Sequence, residues 1–121
     1  VYKRQKEYIQ NLDEVLKGMP IYKGWVKRSV CVRDSKDVSN ILSIFNNEQR
    51  IGHWNSYISS SLGIYDTSFK MIMKIKSKTG RNLATLNDEG GGEILFMRNT
   101  DFQLIDIKNK NGIIYVKLEE L

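Results

Sequence analysis

From Phe69 to the end of the chain, apolar and polar residues alternate in runs separated by turns and by one glycine-rich loop. Phe69, Met71, Met73 and Ile75 fall on one face and Lys70, Lys74, Lys76 and Lys78 on the other, with Ile72 out of step. A period of two is the signature of a strand with one buried side. Ile94 to Met97 and Phe102 to Ile107 read as two further strands. Asn109-Lys110-Asn111-Gly112 then makes a hairpin turn of the Asn-Gly kind, from which Ile113 to Leu118 returns. No helix separates these four strands, which argues against a sheet of parallel strands joined by crossover helices.

The helices lie in the first half. Tyr8, Ile9, Leu12, Val15 and Leu16 recur at helical spacing, which predicts an amphipathic helix over 6–17, ended by Gly18 and Pro20. Val1–Gln5 looks detached and is set apart as a tail, non-native or disordered, leaving 6–121 as a single domain. Ile21 to Val26 is rich in strand formers and broken by Gly24, and Val30-Cys31-Val32 extends it. Asp34 or Ser35 caps a second helix that carries Val38, Ile41, Leu42 and Phe45 on one face and ends at Asn46-Asn47. Ile51 to Ile58 reads as one strand running into Ser59-Ser60-Ser61. Thr79-Gly80-Arg81-Asn82 reads as a turn. The class is therefore α+β.

At 121 residues the chain suffices for one domain with one core. No apolar run approaches the ~20 residues of a membrane helix, and no signal peptide is visible, so a soluble protein is expected. Delivery as part of a larger protein stays compatible with this sequence. Cys31 is the only cysteine, which excludes an internal disulfide and a cysteine zinc cluster; it is expected to fill space in a strand. His53, the only histidine, has no visible partner in sequence and is placed on the solvent side. Tyr22, Trp25, Trp54, Tyr57 and Phe102 are expected in the core. A net charge of +5 fits an acidic partner, a phosphate-bearing ligand or plain solubility.

The stretch with most chemical content is Asp88-Glu89-Gly90-Gly91-Gly92-Glu93-Ile94-Leu95-Phe96. Glycines let a loop approach a ligand closely, and Glu93 heads an apolar strand that would hold its carboxylate in place. Two other stretches precede it: Tyr22-Lys23-Gly24, a cation on a strand, and Tyr57-Ile58-Ser59-Ser60-Ser61, hydroxyls behind an aromatic.

Taken together, Tyr22-Lys23-Gly24, Trp54 to Ser61, Gly80-Arg81-Asn82-Leu83 and Glu93-Ile94-Leu95-Phe96, with Phe102 downstream, resemble the mono-ADP-ribosyltransferases. The branch meant is the one whose signature runs Arg, Ser, Glu, and the likeness spans Met19 to Leu118. The resemblance implies an α+β fold with two small, mainly antiparallel sheets around a cleft for NAD, which is consumed as a substrate. It implies Glu93 and Ser59 as catalytic residues, with Glu93 gripping the nicotinamide ribose. Lys23, Gly24, Tyr22, Ser60 and Ser61 become the NAD-binding set. Glu89 and Gly91 become the loop that meets an acceptor, and no metal is implied. The expected function is ADP-ribosyl transfer to a macromolecule, more readily a protein than a nucleic acid, in a bacterial toxin, effector or phage-associated domain. A monomer with no membrane partner is expected.

Two positions depart from that pattern. Lys23 stands where the signature has arginine and lacks the planar fork that grips phosphate, and Arg28 offers itself from the same strand. Gly91 stands where transferases to arginine or asparagine carry Glu or Gln, which leaves an NAD glycohydrolase or an inactive binding module as alternatives. The alternating lysines of Phe69 to Lys78 raise a separate alternative, a nucleic-acid-binding domain, against the reading of a charged edge strand kept soluble by lysine.

Overall fold

A computed structural model describes residues 2–62, 71–83 and 92–121. Phe69, Lys70, Glu89 and Gly91 lie outside these residues. Helix α1 spans Tyr2–Lys17, so Tyr2 to Gln5 continue it instead of standing apart. It closes through Gly18 and Met19, whose N–H groups donate to the carbonyls of Val15 and Leu16. Leu16 is 1% exposed. Strand β1 follows Pro20 at once, Ile21–Val30, and stops short of Cys31, which is exposed and not the strand filler expected.

Helix α2, Ser35–Leu42, begins with Asp34 as N-cap, whose carboxylate accepts the N–H of Asp37 at 3.0 Å. A short 3-10 turn at Ser43–Phe45 carries it to its end. The strand expected over 51–58 is in fact two: β2, Ile51–Trp54, and β3, Ile58–Ser61. The break separates different partners, since β2 pairs with β6 (Thr100–Lys110) and β3 with β5 (Glu93–Phe96). Strand β4, Met71–Asn82, runs through the segment that reads as a turn. Its Arg81 and Asn82 pair with Leu95 and Ile94 of β5. Where β4 leaves its neighbour, the buried carboxylate of Glu120 accepts the N–H groups of Lys78 and Thr79 at 2.7 and 2.8 Å, together with the Thr79 hydroxyl. That carboxylate keeps the chain extended. Strand β7, Ile113–Glu120, returns through Asn111 and Gly112, both at positive φ as an Asn-Gly hairpin turn requires.

Strand order is β1-β3-β5-β4-β7-β6-β2, with β1 also pairing to β4. The first four strands therefore close on themselves, and β7, β6 and β2 continue from β4 within the same seven-stranded sheet of the described residues. Pairing is antiparallel throughout the described residues except between β4 and β7. The core lies under this sheet. Met71, Met73 and Ile75 of β4, Val116 and Leu118 of β7, and Ile94 and Phe96 of β5 are all buried. Ile72, out of step with the alternation, is buried as well. An edge-to-face chain of rings, Phe45–Trp54–Phe102–Phe96 with centroids 5.1–5.8 Å apart, ties the 3-10 turn to β2, β6 and β5. No helix among the described residues is long and apolar enough to cross a membrane.

Candidate active site

Strands β3 and β5 lie antiparallel with Ser59 opposite Leu95 and Ser61 opposite Glu93. Residues two apart on a strand share a face, so Ser59 and Ser61 present their hydroxyls on one side and Ile58 and Ser60 go inward. Burial follows that pattern: Ile58 and Ser60 are buried and Ser59 is exposed. The Ser59 hydroxyl donates to Glu93 Oε1 at 3.0 Å. Ser60 Oγ donates to the Ile94 carbonyl at 2.7 Å, so this hydroxyl serves the β3–β5 pairing inside the protein.

Glu93 is held from both sides. Its carbonyl accepts the Leu83 N–H at 3.0 Å, and the carbonyl of the preceding Gly92 accepts the Leu62 N–H at 2.9 Å. Gly92 adopts φ +88°, and a Cβ there would stand 3.0 Å from Leu62 Cβ. Glycine alone meets both demands comfortably.

The cation at this site comes from β1. Arg28 Nη1 donates to the Ser59 carbonyl at 2.8 Å, so Arg28, Ser59 and Glu93 form one connected set. Burial pulls the Arg28 pKa below the ordinary guanidinium value. Lys23 stands differently. It is exposed, in the bulge between Tyr22 and Gly24, and four residues before Lys27, the residue opposite Ser61. Four residues of strand span about 13 Å. Among the described residues no hydrogen bond or ion pair joins Lys23 to Ser59 or Glu93. Tyr22 and Gly24 meet each other: Gly24 has φ +148°, and the Tyr22 hydroxyl lies 2.9 Å from where a Cβ would be.

Three features near the site are hard to see in the sequence. Asp13 on α1 accepts the Tyr57 hydroxyl at 2.6 Å and Arg98 Nε at 2.8 Å, tying the helix to the entry of β3 and the exit of β5. The Arg98 hydrogen bond, chiefly, holds the Asp13 carboxyl below its usual range, and burial together with the Asp13 contact pushes Tyr57 up to about 12. Arg81 stands opposite Leu95, donates through Nη1 to the Met19 carbonyl at 3.3 Å, and keeps a buried Nε without a partner. His53, expected without a partner, has one in Asp101, whose Oδ1 lies 2.6 Å from Nδ1. No group of His, Cys, Asp or Glu among the described residues could hold a metal ion.

Chemically, the cluster offers one fixed carboxylate, one hydroxyl orienting it and one cation two contacts away. That suits a substrate carrying negative charge at one end and developing positive charge at the other.

No family model matches the chain, and no curated protein matches it in sequence. Solved structures do. The Vis toxin, an ADP-ribosyltransferase from Vibrio splendidus, superposes with TM-score 0.68 at 21% identity over 96% of this chain and 56% of its own. The catalytic domain of VahC from Aeromonas hydrophila gives 0.76 at 16% identity over 98% of this chain and 71% of its own. The ADP-ribosyltransferase HopU1 of Pseudomonas syringae pv. tomato gives 0.70 at 13% identity over 84% and 46%. The chain thus spans about half the length of Vis and HopU1. At these identities the likeness is one of fold.

Proposed function

Starting from the ADP-ribosyltransferase fold of this chain, we propose that it cleaves NAD and transfers the ADP-ribose to a protein acceptor, as the catalytic domain of a toxin or effector. The observation that carries this reading is the Ser59–Glu93 hydrogen bond at 3.0 Å with Arg28 joined to the same serine. In the reaction the bond between the ribose C1′ and the nicotinamide nitrogen breaks, and its electron pair leaves with nicotinamide. Positive charge builds on the ribose ring. A carboxylate placed beside that ring stabilises the charged transition state more than the neutral ribose of the ground state. Glu93 is that carboxylate, and Ser59 fixes its orientation. Arg28 receives the pyrophosphate, a role its planar donor fork suits better than the exposed Lys23 ammonium. Ser61, opposite Glu93, adjoins this set, and Ser60 contributes only through the β3–β5 pairing. The ribose cation is then captured by an acceptor nucleophile, which gives up its proton.

A second reading has its own support. Gly91, two positions before Glu93, has no side chain with which to engage an acceptor. Water would then capture the ribose, making the protein an NAD glycohydrolase. One experiment addresses both readings: nicotinamide release from NAD, with and without cell lysate, for the natural protein and Glu93→Gln. Release that vanishes in the variant supports NAD cleavage, and labelled lysate protein identifies the transferase. Equal release by the variant would remove Glu93 from the mechanism.

A further inference from the structure

The sheet face that carries Ser59, Ser61 and Glu93 continues through Lys27, opposite Ser61, into a row of like charges to which the site above assigns no role. Lys27, Lys74 and Lys117 are direct neighbours across β1, β4 and β7. Side chains in such register stand on one face, with Cβ atoms about 5 Å apart, and like charges so placed destabilise a sheet. Lys76 and Lys78 continue the lysines along β4, and both are exposed. Edge protection does not account for them. Strand β4 is flanked by β1, β5 and β7 and has no free edge along most of its length. The carboxylates in register with this face are Glu119, opposite Lys76, and Asp106, opposite Lys117. Asp106 also lies 3.7 Å from Lys108. Among the described residues neither Lys74 nor Lys117 makes an ion pair.

What Lys74 and Lys117 meet instead is an indole. Their Nζ atoms lie 4.9 and 5.1 Å from the Trp25 ring centroid, and Trp25 remains 37% exposed. An accessible indole among cations on a sheet face, with Tyr115 farther along β7, fits one class of partner better than others. A single-stranded nucleic acid brings phosphates for the ammonium groups and bases that stack on an exposed ring. An acidic peptide would satisfy the charges and leave the indole unused. A duplex would need an element projecting into a groove, and this face is a sheet.

We propose that the outer face of β1, β4 and β7 binds single-stranded RNA or DNA, with Lys74 and Lys117 contacting phosphates and Trp25 stacking on a base. The inference does not rest on NAD cleavage, and Lys74 and Lys117 lie one and two strands beyond Lys27, the residue that adjoins the site strand β3. It is tested by fluorescence anisotropy of labelled single strands of about 15 nucleotides. Neutralising two phosphates, one at each of these lysines, gives a log–log salt slope of about −1.4, so affinity falls roughly 7-fold between about 50 and 200 mM salt. Trp25→Ala should weaken binding about 5- to 150-fold, the measured range for loss of one stacked base. Lys74→Glu with Lys117→Glu should abolish it, while circular dichroism and nicotinamide release stay those of the natural protein. Absence of binding at low salt overturns the proposal. So does binding unmoved by the charge reversal, tighter binding of duplex than of single strand, or equal competition by polyglutamate.

Discussion

Strand β1 carries two neighbouring cations with opposite electrostatic logic. Toward β3, Arg28 is drawn from solvent, donates to the Ser59 carbonyl, and through Ser59 joins Glu93, so both charges are tied to Ser59 by hydrogen bonds. One residue away, Lys27, itself opposite Ser61 of β3, stands beside Lys74 and Lys74 beside Lys117, with an exposed indole against the last two. A charge held in place by hydrogen bonds is preorganised and acts on a bound substrate without further ordering. Charges set against one another store repulsion that an incoming polyanion relieves. The first arrangement is suited to chemistry and the second to capture.

The sharpest way to break this comparison is to remove the fixed anion. Glu93→Gln keeps the shape and the hydrogen-bond geometry, and it should lower the rate of nicotinamide release about 10²- to 10³-fold, the range seen when one charge-stabilising group is lost. The two cations of β1 come next. Arg28→Ala should weaken NAD turnover by tens-fold, because the lost hydrogen bonds are to an ion, whereas Lys23→Ala should stay within about twofold. Equal losses from both would mean that strand position does not decide which cation serves the site.

These two residues also show what the sequence could convey. The apolar alternation of β4, the hairpin at Asn111-Gly112 and the ending of α1 at Gly18-Met19-Pro20 follow from local chemistry and are legible without coordinates. The pairing of Ser59 with Glu93 is legible only as a pattern of order, and the contact itself depends on β3 and β5 lying in register. Choosing between Lys23 and Arg28 was beyond the sequence, since both are cations on one strand and the bulge at Gly24 resets which side each faces. The break between Trp54 and Ile58 was equally hidden. It exists because β2 and β3 pair with different strands, a tertiary fact. Thr79 to Asn82 has turn composition, yet Glu120, forty residues on, takes the Thr79 donors, and pairing of Gly80 and Arg81 with Tyr22 and Ile21 holds the segment extended. Trp25, expected in the core, lies on the lysine face for the same kind of reason.

A smaller effect tests how far the site depends on its supports. Tyr57→Phe removes a hydrogen bond to a carboxylate two residues before Ser59 and should cost roughly 1.5–3 kcal/mol of stability, read as a lower Tm. An unchanged Tm would mean that α1 does not anchor β3 through Asp13. The pH dependence has a definite sign. Asp13 has a depressed carboxyl pKa, so its contribution is present above its ordinary value of 3.8 and is lost as pH falls through the lower folded value.

The smallest expected effect concerns His53. Hydrogen bonding to Asp101, foremost, raises its pKa, so its contribution is complete below the ordinary value of 6.5 and lost as pH rises through the higher folded value. The imidazole proton resonance should titrate above 6.5, and Asp101→Asn should bring the midpoint down. A midpoint indifferent to that substitution would show that the contact does not persist in solution.

The central claim is that Arg28, Ser59 and Glu93 act as one site on NAD. Nicotinamide release measured for the natural protein, Arg28→Ala, Glu93→Gln and the double variant tests it most directly. Residues acting as a unit give non-additive losses, so the double variant should be little worse than Glu93→Gln alone. Fully additive losses would separate Arg28 from Glu93, and no nicotinamide release from the natural protein would contradict the account outright.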